Sequence, residues 1–347
     1  MNQHELYMHR CIELARLGAG YVAPNPMVGS VLVYEDRIIG EGYHRQYGQA
    51  HAEVNCINSV KEEDRHLIEK SIIYVSLEPC AHYGKTPPCA DLIIRHKIPT
   101  VVVGCRDPFE QVDGKGIEKL EKAGIEVIKG VLESECKEMN KRFFTFHIKK
   151  RPYIILKWAQ SKNRKIANND FSRVFISNDF SNRLVHKWRS MEAGIMIGTN
   201  TALYDNPSLN TRNWTGHDPI RLVVDMNLRL PSYLQIFDKK QKTVIFNSMK
   251  HEDDGNLLYY KIDQDTFSVR AILKSCYDLH IQSILVEGGT TLLQSFVEEK
   301  LWDEARVIEN ELLIIDKGLE APVLSDHHLL TSEKVSTDVI SFYASNL

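Results

Sequence analysis

The sequence predicts a two-domain α/β protein, and three observations carry the prediction. The chain is 347 residues long, about twice the roughly 100–200 residues of one ordinary domain. Apolar strand-like runs alternate with amphipathic helix-like runs in both halves, the pattern of a layered α/β sheet. A cationic, proline-containing stretch, His147-Ile148-Lys149-Lys150-Arg151-Pro152, separates the halves, and boundaries fall in such segments. Domains are therefore expected over 1–147 and 148–347.

In the first half, Leu6, Ile12, Leu14, Ala15 and Leu17 share one face of a helix over the first 18 residues, stopped by Gly18 and Gly20. Residues 28–43 read as two strands around a turn at Glu35-Asp36. Helices follow over 52–60, 89–96, 115–123 and 132–146, and strands over 72–77, 100–104 and 126–128. In the second half, strands are expected over 153–158, 194–198, 220–225, 243–246 and 283–286. Helices are expected there over 182–192, 267–280 and 290–299, and the polar stretch 239–264 reads as an irregular surface excursion. No short repeat links the halves, which read as two different α/β domains.

Composition excludes several function classes. The chain carries 43 basic and 46 acidic residues, a net charge of −3, so no basic excess points to nucleic acid or to a membrane surface. No stretch reaches the roughly 20 apolar residues that span a bilayer. The first residues lack the continuous apolar core of a secretory signal. The seven cysteines are odd in number and scattered, which is no disulfide framework and suits a reducing cytoplasm. The oligomeric state is left open, a homo-oligomer included.

The strongest local signal is His51-Ala52-Glu53, followed by Pro79-Cys80 and Pro88-Cys89. One imidazole and two thiolates are good zinc ligands, and three protein ligands leave the fourth tetrahedral position for water, the catalytic arrangement. Zinc lowers the pKa of that water to about 7. Glu53, on the first turn of a helix, is spaced to carry a proton without being a ligand. Cys89 opens a helix, whose N-terminus favours a thiolate. A structural site would want a fourth protein ligand, for which His82 is the candidate; the other five cysteines read as small core residues. The pattern is that of zinc base deaminases, except that eight residues, not two, separate Cys80 from Cys89. That insert contains His82, Lys85 and Thr86, which are expected to face a substrate. Asn25 in Asn25-Pro26-Met27-Val28-Gly29 offers a base both a donor and an acceptor, and His44 in Gly42-Tyr43-His44 is a further candidate.

These motifs, with the long segment from Leu77-Glu78-Pro79-Cys80 to Pro87-Pro88-Cys89, Arg106-Asp107-Pro108 and Gly114-Lys115-Gly116-Ile117, resemble the bifunctional deaminase/reductase family of riboflavin biosynthesis. The resemblance implies a cytidine-deaminase-like three-layer α/β/α first domain. It also implies that His51, Cys80 and Cys89 bind Zn2+ and that Glu53 shuttles the proton.

In the second half, Val286-Glu287-Gly288-Gly289-Thr290-Thr291 follows a strand and opens a helix. Such glycines let a phosphate approach the backbone at a helix N-terminus, although the stretch is not a G-x-G-x-x-G fingerprint and a Rossmann domain is not indicated. Lys157 ends a strand, and Arg189 and Arg212 could hold a phosphorylated sugar. These stretches are similar to the reductase half of the same family, which implies a dihydrofolate-reductase-like fold and NADPH reduction of a ribosyl to a ribityl group. On the matching positions the resemblance puts Ala159, Phe175, Thr201, Asp205, Gly289, Thr290, Thr291, Leu292, Leu293, Gln294 and Ser295 against the dinucleotide. It puts Lys157, Arg189, Leu209, Arg212 and Glu287 against the substrate.

The second half also departs from the family pattern. Ser161-Lys162-Asn163-Arg164-Lys165 stands where the family usually reads Ser-Leu-Asp-Gly-Lys. Arg173-Val174-Phe175 precedes Ile176-Ser177-Asn178, and Lys317-Gly318 replaces a late Gly-Gly. The expected substrate is a small pyrimidine ribotide, 2,5-diamino-6-(5-phosphoribosylamino)pyrimidin-4-one, deaminated and then reduced to 5-amino-6-(5-phosphoribitylamino)uracil. The rival readings are a nucleic-acid base deaminase with an appended binding domain, a deaminase with a degenerate reductase half, and a zinc-stabilised scaffold.

Overall fold

The computed structural model describes residues 2–83, 87–170 and 174–346. Lys85, Thr86 and Arg173, singled out above, lie outside the described residues. The chain forms two compact units, Met1–Lys149 and Lys150–Leu347.

The first unit is a five-stranded sheet between two helical layers. Its strands are β1 (Gly29–Tyr34), β2 (Arg37–Tyr43), β3 (Ile72–Leu77), β4 (Thr100–Cys105) and β5 (Glu126–Lys129), in the order β2-β1-β3-β4-β5. β1 runs antiparallel to β2 and β3, whereas β3, β4 and β5 are parallel. The helices are α1 (Gln3–Arg16), α2 (Ala52–Asn58), α3 (Cys89–Arg95), α4 (Lys115–Lys122), α5 (Glu133–Met139) and α6 (Lys141–Lys149). Strand alternation sorts the side chains between two cores. Leu32, Ile73, Val75, Val101 and Val103 face a core shared with Cys56 and Ile57 of α2, Ile93 of α3 and Leu120 of α4. Val31, Val33, Tyr74 and Val102 face the other, against Met8, Cys11 and Ile12 of α1 and Cys136 of α5. Asn2 caps α1 in a reciprocal capping box with Glu5.

The single helix expected over 132–146 is broken at Asn140. Its side chain accepts the Met27 N–H at 2.8 Å and donates to the Met27 carbonyl at 2.9 Å. A polar side chain that satisfies a distant backbone pair is a reason to leave the helix there.

The second unit holds a ten-stranded sheet. In chain order its strands are β6 (Tyr153–Ser161), β8 (Gly194–Gly198), β9 (Ile220–Val224), β10 (Thr243–Asn247), β11 (Glu252–Asp254), β12 (Leu257–Lys261), β13 (Ser283–Val286), β14 (Glu304–Asn310), β16 (His327–Val335) and β17 (Asp338–Ser345). Their order across the sheet is β11-β12-β10-β9-β8-β13-β6-β14-β17-β16. β7 (Lys165–Asn168) and β15 (Gly318–Glu320) pair as a separate two-stranded flap. The helices are α7 (Asp179–Met191), α8 (Thr199–Asp205), α9 (Val269–Asp278) and α10 (Thr290–Glu298). Ile154, Leu156, Met196, Leu222, Ile284 and Val286 pack with α9 and α10. On the opposite face Tyr153, Ile155 and Leu285 meet Val185 and Trp188 of α7.

The stretch 239–264 is not an irregular excursion. It carries β11 and β12, and β12 pairs in parallel with β10 through Leu257 and Leu258, both buried. Four strands of the last fifty residues, β14, β15, β16 and β17, were not foreseen.

Three departures from the family pattern are absorbed locally. Arg164 takes φ 59°, the left-handed turn conformation that a glycine adopts freely. Asn163 still closes the turn by exchanging hydrogen bonds with the backbone of Ile315. Asn178 N-caps α7 by accepting the Ser181 N–H at 3.0 Å, as a serine would. Of the late pair, the glycine that remains is the one the packing requires, since a Cβ on Gly318 would lie 2.2 Å from the Ala167 carbonyl oxygen.

Two predictions concern this unit, which contains all four tryptophans and can be followed by their fluorescence. Gly318→Ala drives the flap strands apart and lowers stability against denaturant by about 1–3 kcal/mol, the usual cost of overpacking; an unchanged midpoint would show that the close approach is not rigid. His186 of α7 is 4% exposed. Burial, with the Arg189 and Arg212 charges, pushes its pKa from 6.5 down to about 4. A group whose folded pKa is depressed leaves the unfolded chain binding the extra proton. Stability is therefore complete above the ordinary value of 6.5 and declines as pH falls toward about 4. His186→Asn is expected to flatten that acid limb of the denaturation profile, and an identical limb would contradict the assignment.

Candidate functional site

In the first unit, three elements deliver three ligands to one point. His51 is the N-cap residue of α2, yet its side chain makes no capping bond. Cys80 lies just past the end of β3, and Cys89 opens α3. The Nδ1 of His51 lies 3.6 Å from the Cys80 Sγ and 3.4 Å from the Cys89 Sγ, and the three ligand atoms all fall within 4.8 Å of one another. The Cys89 backbone N–H donates to the Cys80 Sγ at 3.3 Å. Hydrogen bonds from the Cys89 side chain and from His51 outweigh burial and hold the Cys80 thiol well below its ordinary value, while Cys89 is raised by that same hydrogen bond and by burial. Two sulfurs and one imidazole, one sulfur already favoured as a thiolate, suit a zinc ion with three protein ligands. His82 does not join the cluster, and its Nδ1 has no hydrogen-bond partner among the described residues.

Glu53 follows on the first turn of α2 and is 3% exposed. Burial, reinforced by the Cys80 charge, raises its carboxyl pKa, and its side chain hydrogen-bonds to Cys89. A buried carboxyl with a raised pKa beside the ligands is suited to carry a proton. His44 packs edge-on against His51, with ring centroids 5.4 Å apart. Its Nδ1 lies 3.1 Å from the Ala50 carbonyl and its Nε2 3.1 Å from the Asn25 Nδ2. The candidates Asn25 and His44 are thus joined to the ligand His51. The remaining five cysteines are buried, as expected of core residues.

In the second unit, a cleft of about 490 Å³ opens over the middle of β6, where Lys157 lies within the strand and does not end it, and at the ends of β8 and β13. Its polar end is a buried charge cluster. Arg189 of α7 grips Glu287 through two bonds of 2.7 Å, and Lys157 of β6 stands 3.9 Å from the same carboxylate. Burial alone would raise the Glu287 carboxyl, but the Arg189 and Lys157 charges hold it below its ordinary value. Burial, with the Arg189 charge, pushes the Lys157 ammonium down. The third guanidinium nitrogen of Arg189 donates to the Asn210 carbonyl at 3.2 Å, next to Leu209, whose φ of 52° is left-handed.

The other end of the cleft is glycine-rich. A Cβ on Gly288 would lie 2.8 Å from Thr201 Cγ2, and Gly289 takes φ 71°, so both positions require glycine. Their backbone leads into α10, whose N-terminus favours an anion. Lys157, Ala159, Phe175, Arg189, Thr201, Asp205, Leu209, Glu287, Gly289, Thr290, Thr291 and Leu293 all line the cleft. Leu292, Gln294, Ser295 and Arg212 do not. Leu292 packs against the core, Gln294 accepts the Val323 N–H, and Ser295 bonds back to Thr291 within the helix. Arg212 bonds Ser208 and Asn210. A helix presents only part of its circumference to a cleft, so a continuous run from 289 to 295 could not all face it. Sequence reading missed Asn182, Asn200 and Tyr204, and also Ile166 and Leu319 of the flap. Helical spacing pointed to Asn182, seven residues before Arg189, and to Tyr204, three after Thr201; no such spacing pointed to Asn200, and nothing local pointed to the flap.

Comparison with known proteins gives a family match in each unit. Residues 1–105 match the family described as the cytidine and deoxycytidylate deaminase zinc-binding region, and residues 152–314 match the RibD C-terminal domain. The riboflavin biosynthesis protein RibD of Aquifex aeolicus is 38% identical over 302 residues, covering 86% of this chain and 84% of that protein. The protein of the same name from Bacillus amyloliquefaciens is 37% identical over 329 residues, covering 92% and 87%. A crystal structure from Thermotoga maritima aligns with a TM-score of 0.88 at 34% identity, covering 99% of this chain and 98% of that one. It is described as a diaminohydroxyphosphoribosylaminopyrimidine deaminase/5-amino-6-(5-phosphoribosylamino)uracil reductase. The present chain thus belongs to the RibD family of riboflavin biosynthesis proteins, as a bifunctional deaminase/reductase.

Proposed function

We propose that the first unit hydrolyses the C2 amine of 2,5-diamino-6-(5-phosphoribosylamino)pyrimidin-4-one, and that the second reduces the ribosyl C1′ of the product. The result is 5-amino-6-(5-phosphoribitylamino)uracil. The observation that carries the reading is one chain holding both a His51/Cys80/Cys89 cluster beside a buried Glu53 and a glycine-rimmed cleft ending in Arg189, Glu287 and Lys157. The cofactors are Zn2+ and NADPH.

His51, Cys80 and Cys89 hold the zinc, which supplies Lewis acidity that makes water a nucleophile at neutral pH. Glu53 takes the proton of the attacking water and returns it to the departing amine. Its burial favours the protonated form that the second transfer needs. Asn25, braced by His44, keeps its Oδ1 and second N–H for the polar edge of the pyrimidine. In the reductase cleft, Ala159, Phe175, Thr201, Asp205, Gly289, Thr290, Thr291 and Leu293 bind NADPH, which supplies the hydride. Arg189 and Lys157 face the phosphorylated sugar, and Glu287 holds both cations in place. Leu209 closes the wall beside them, and Arg212 lies on the loop that leaves it.

The ligand is a small ribotide; the net charge of −3 speaks against a nucleic-acid substrate. A cytoplasmic location belongs to the same reading, supported by seven cysteines of which none forms a disulfide. Among the described residues no helix is long and apolar enough to cross a membrane.

Two variants separate the activities. Glu53→Gln is expected to retain zinc by metal analysis while ammonia release from the diaminopyrimidine ribotide falls about 10²–10⁴-fold, the usual worth of a positioned acid–base group. Undiminished release would remove Glu53 from the mechanism. Glu287→Gln breaks the two-bonded grip on Arg189. It is expected to lower kcat/KM for NADPH oxidation at least about 10-fold, as loss of a charge-assisted pair does, with ammonia release unchanged. Full reduction by that variant would move the substrate away from the cluster.

A further inference from the structure

Glu78 is a buried carboxylate that neither chemistry uses, and its surroundings are unusual. It is 4% exposed and lies just past the end of β3, two residues before Cys80. Its backbone N–H donates to the Cys105 carbonyl at 3.0 Å, which extends the pairing of β3 with β4. Its side chain accepts four backbone N–H groups from one later segment. Oε1 takes those of Gly116 and Ile117 at 2.9 and 3.2 Å, and Oε2 takes those of Gly114 and Asp107 at 3.0 and 3.2 Å. No lysine, arginine or histidine is among its hydrogen-bond partners in the described residues. The carboxylate is held instead by oriented amides and by the first turn of α4.

The segment it grips is itself closed. Arg106 bonds the Asp113 side chain and carbonyl at 2.8 and 2.9 Å, pinching residues 106–113 into a loop. Gly116 then presses on Pro79, where a Cβ would lie only 1.9 Å from the Pro79 carbonyl oxygen. Glu78 and Pro79 are thus fixed on two sides, by the side-chain clamp and by direct backbone contact. Cys80 is the next residue, and the proline ring fixes one of the two backbone rotations, φ, at the residue that joins it to Glu78.

We propose that Glu78 is the positioning residue of the metal centre, holding Cys80 in register with His51 and Cys89. An amide cannot replace it. The NH2 of a glutamine would face two N–H donors, so one side of the clamp would open and Pro79-Cys80 would be released. Partners that orient a metal ligand typically contribute 10–100-fold in metal affinity when removed.

The proposal rests on the zinc reading of His51, Cys80 and Cys89, and the test keeps the two apart. Zinc affinity of the full-length chain is measured by competition with a chromophoric chelator, with folding followed by far-UV circular dichroism. Wild-type protein that binds no zinc at this site would sink the zinc reading itself. If the wild type binds zinc, Glu78→Gln is expected to bind it about 10-fold more weakly, and excess zinc is expected to restore most of the ammonia-releasing kcat. A purely structural role would not produce that recovery. Zinc affinity within about two-fold of wild type in the folded variant overturns the proposal. Should Glu78→Gln fail to fold, Glu78→Asp, which keeps the charge but shortens the reach, is judged by the same measurement. If neither folds even with zinc present, Glu78 is a folding residue and the positioning role is wrong.

Discussion

Two sulfurs and an imidazole nitrogen held within 4.8 Å of one another in a largely buried position are the constraint around which the first unit is organised. Buried charge is costly unless it is compensated. Cys80 is favoured as a thiolate while Cys89 beside it is held as a thiol, and a cation at their common point is what would let both sulfurs carry charge. The fold supplies this arrangement from places that a parallel sheet brings together anyway, namely the end of a strand and the starts of two helices. The same geometry sets Glu53 beside the ligands without recruiting it as one, so binding and proton transfer are divided between neighbouring residues of one helix start.

The second unit meets the same cost with resident cations. Glu287 is buried and ionised because Arg189 and Lys157 stand against it. Removing one partner from such a cluster leaves an uncompensated buried charge, typically worth 3–5 kcal/mol. The cluster is therefore rigid as well as charged, and it closes one end of a cleft whose other end is rimmed by glycines at a helix start. A phosphorylated sugar and a dinucleotide have complementary needs, cations at one end and bare backbone amides at the other.

How much of this the sequence disclosed follows from how far apart the contributing residues lie. His51, Glu53, Cys80 and Cys89 were legible because each sits in a short motif whose spacing reflects metal chemistry. The strands of both cores were legible because burial on two faces leaves apolar runs such as Ile72–Leu77 and Tyr153–Trp158. The flap of β7 and β15 was not, since it joins strands about 150 residues apart whose side chains are only partly buried. β16 was invisible for a related reason: nearly all of it is exposed, so it carries no apolar period. Glu78 stood inside a quoted motif, yet its four partners lie some thirty to forty residues downstream. The run from Gly289 to Ser295 was read too generously, because resemblance names a segment whereas a helix offers a cleft only one face.

The central claim is that one chain performs two successive and separable reactions on one small molecule. The most direct test gives zinc-replete protein the diaminopyrimidine ribotide with NADPH and follows ammonia and NADPH absorbance independently. The account predicts one equivalent of each per substrate consumed, with ammonia appearing first and still appearing when NADPH is withheld. Ammonia without any NADPH oxidation would contradict the claim of a working reductase, and NADPH oxidation without ammonia would contradict the order of the two sites.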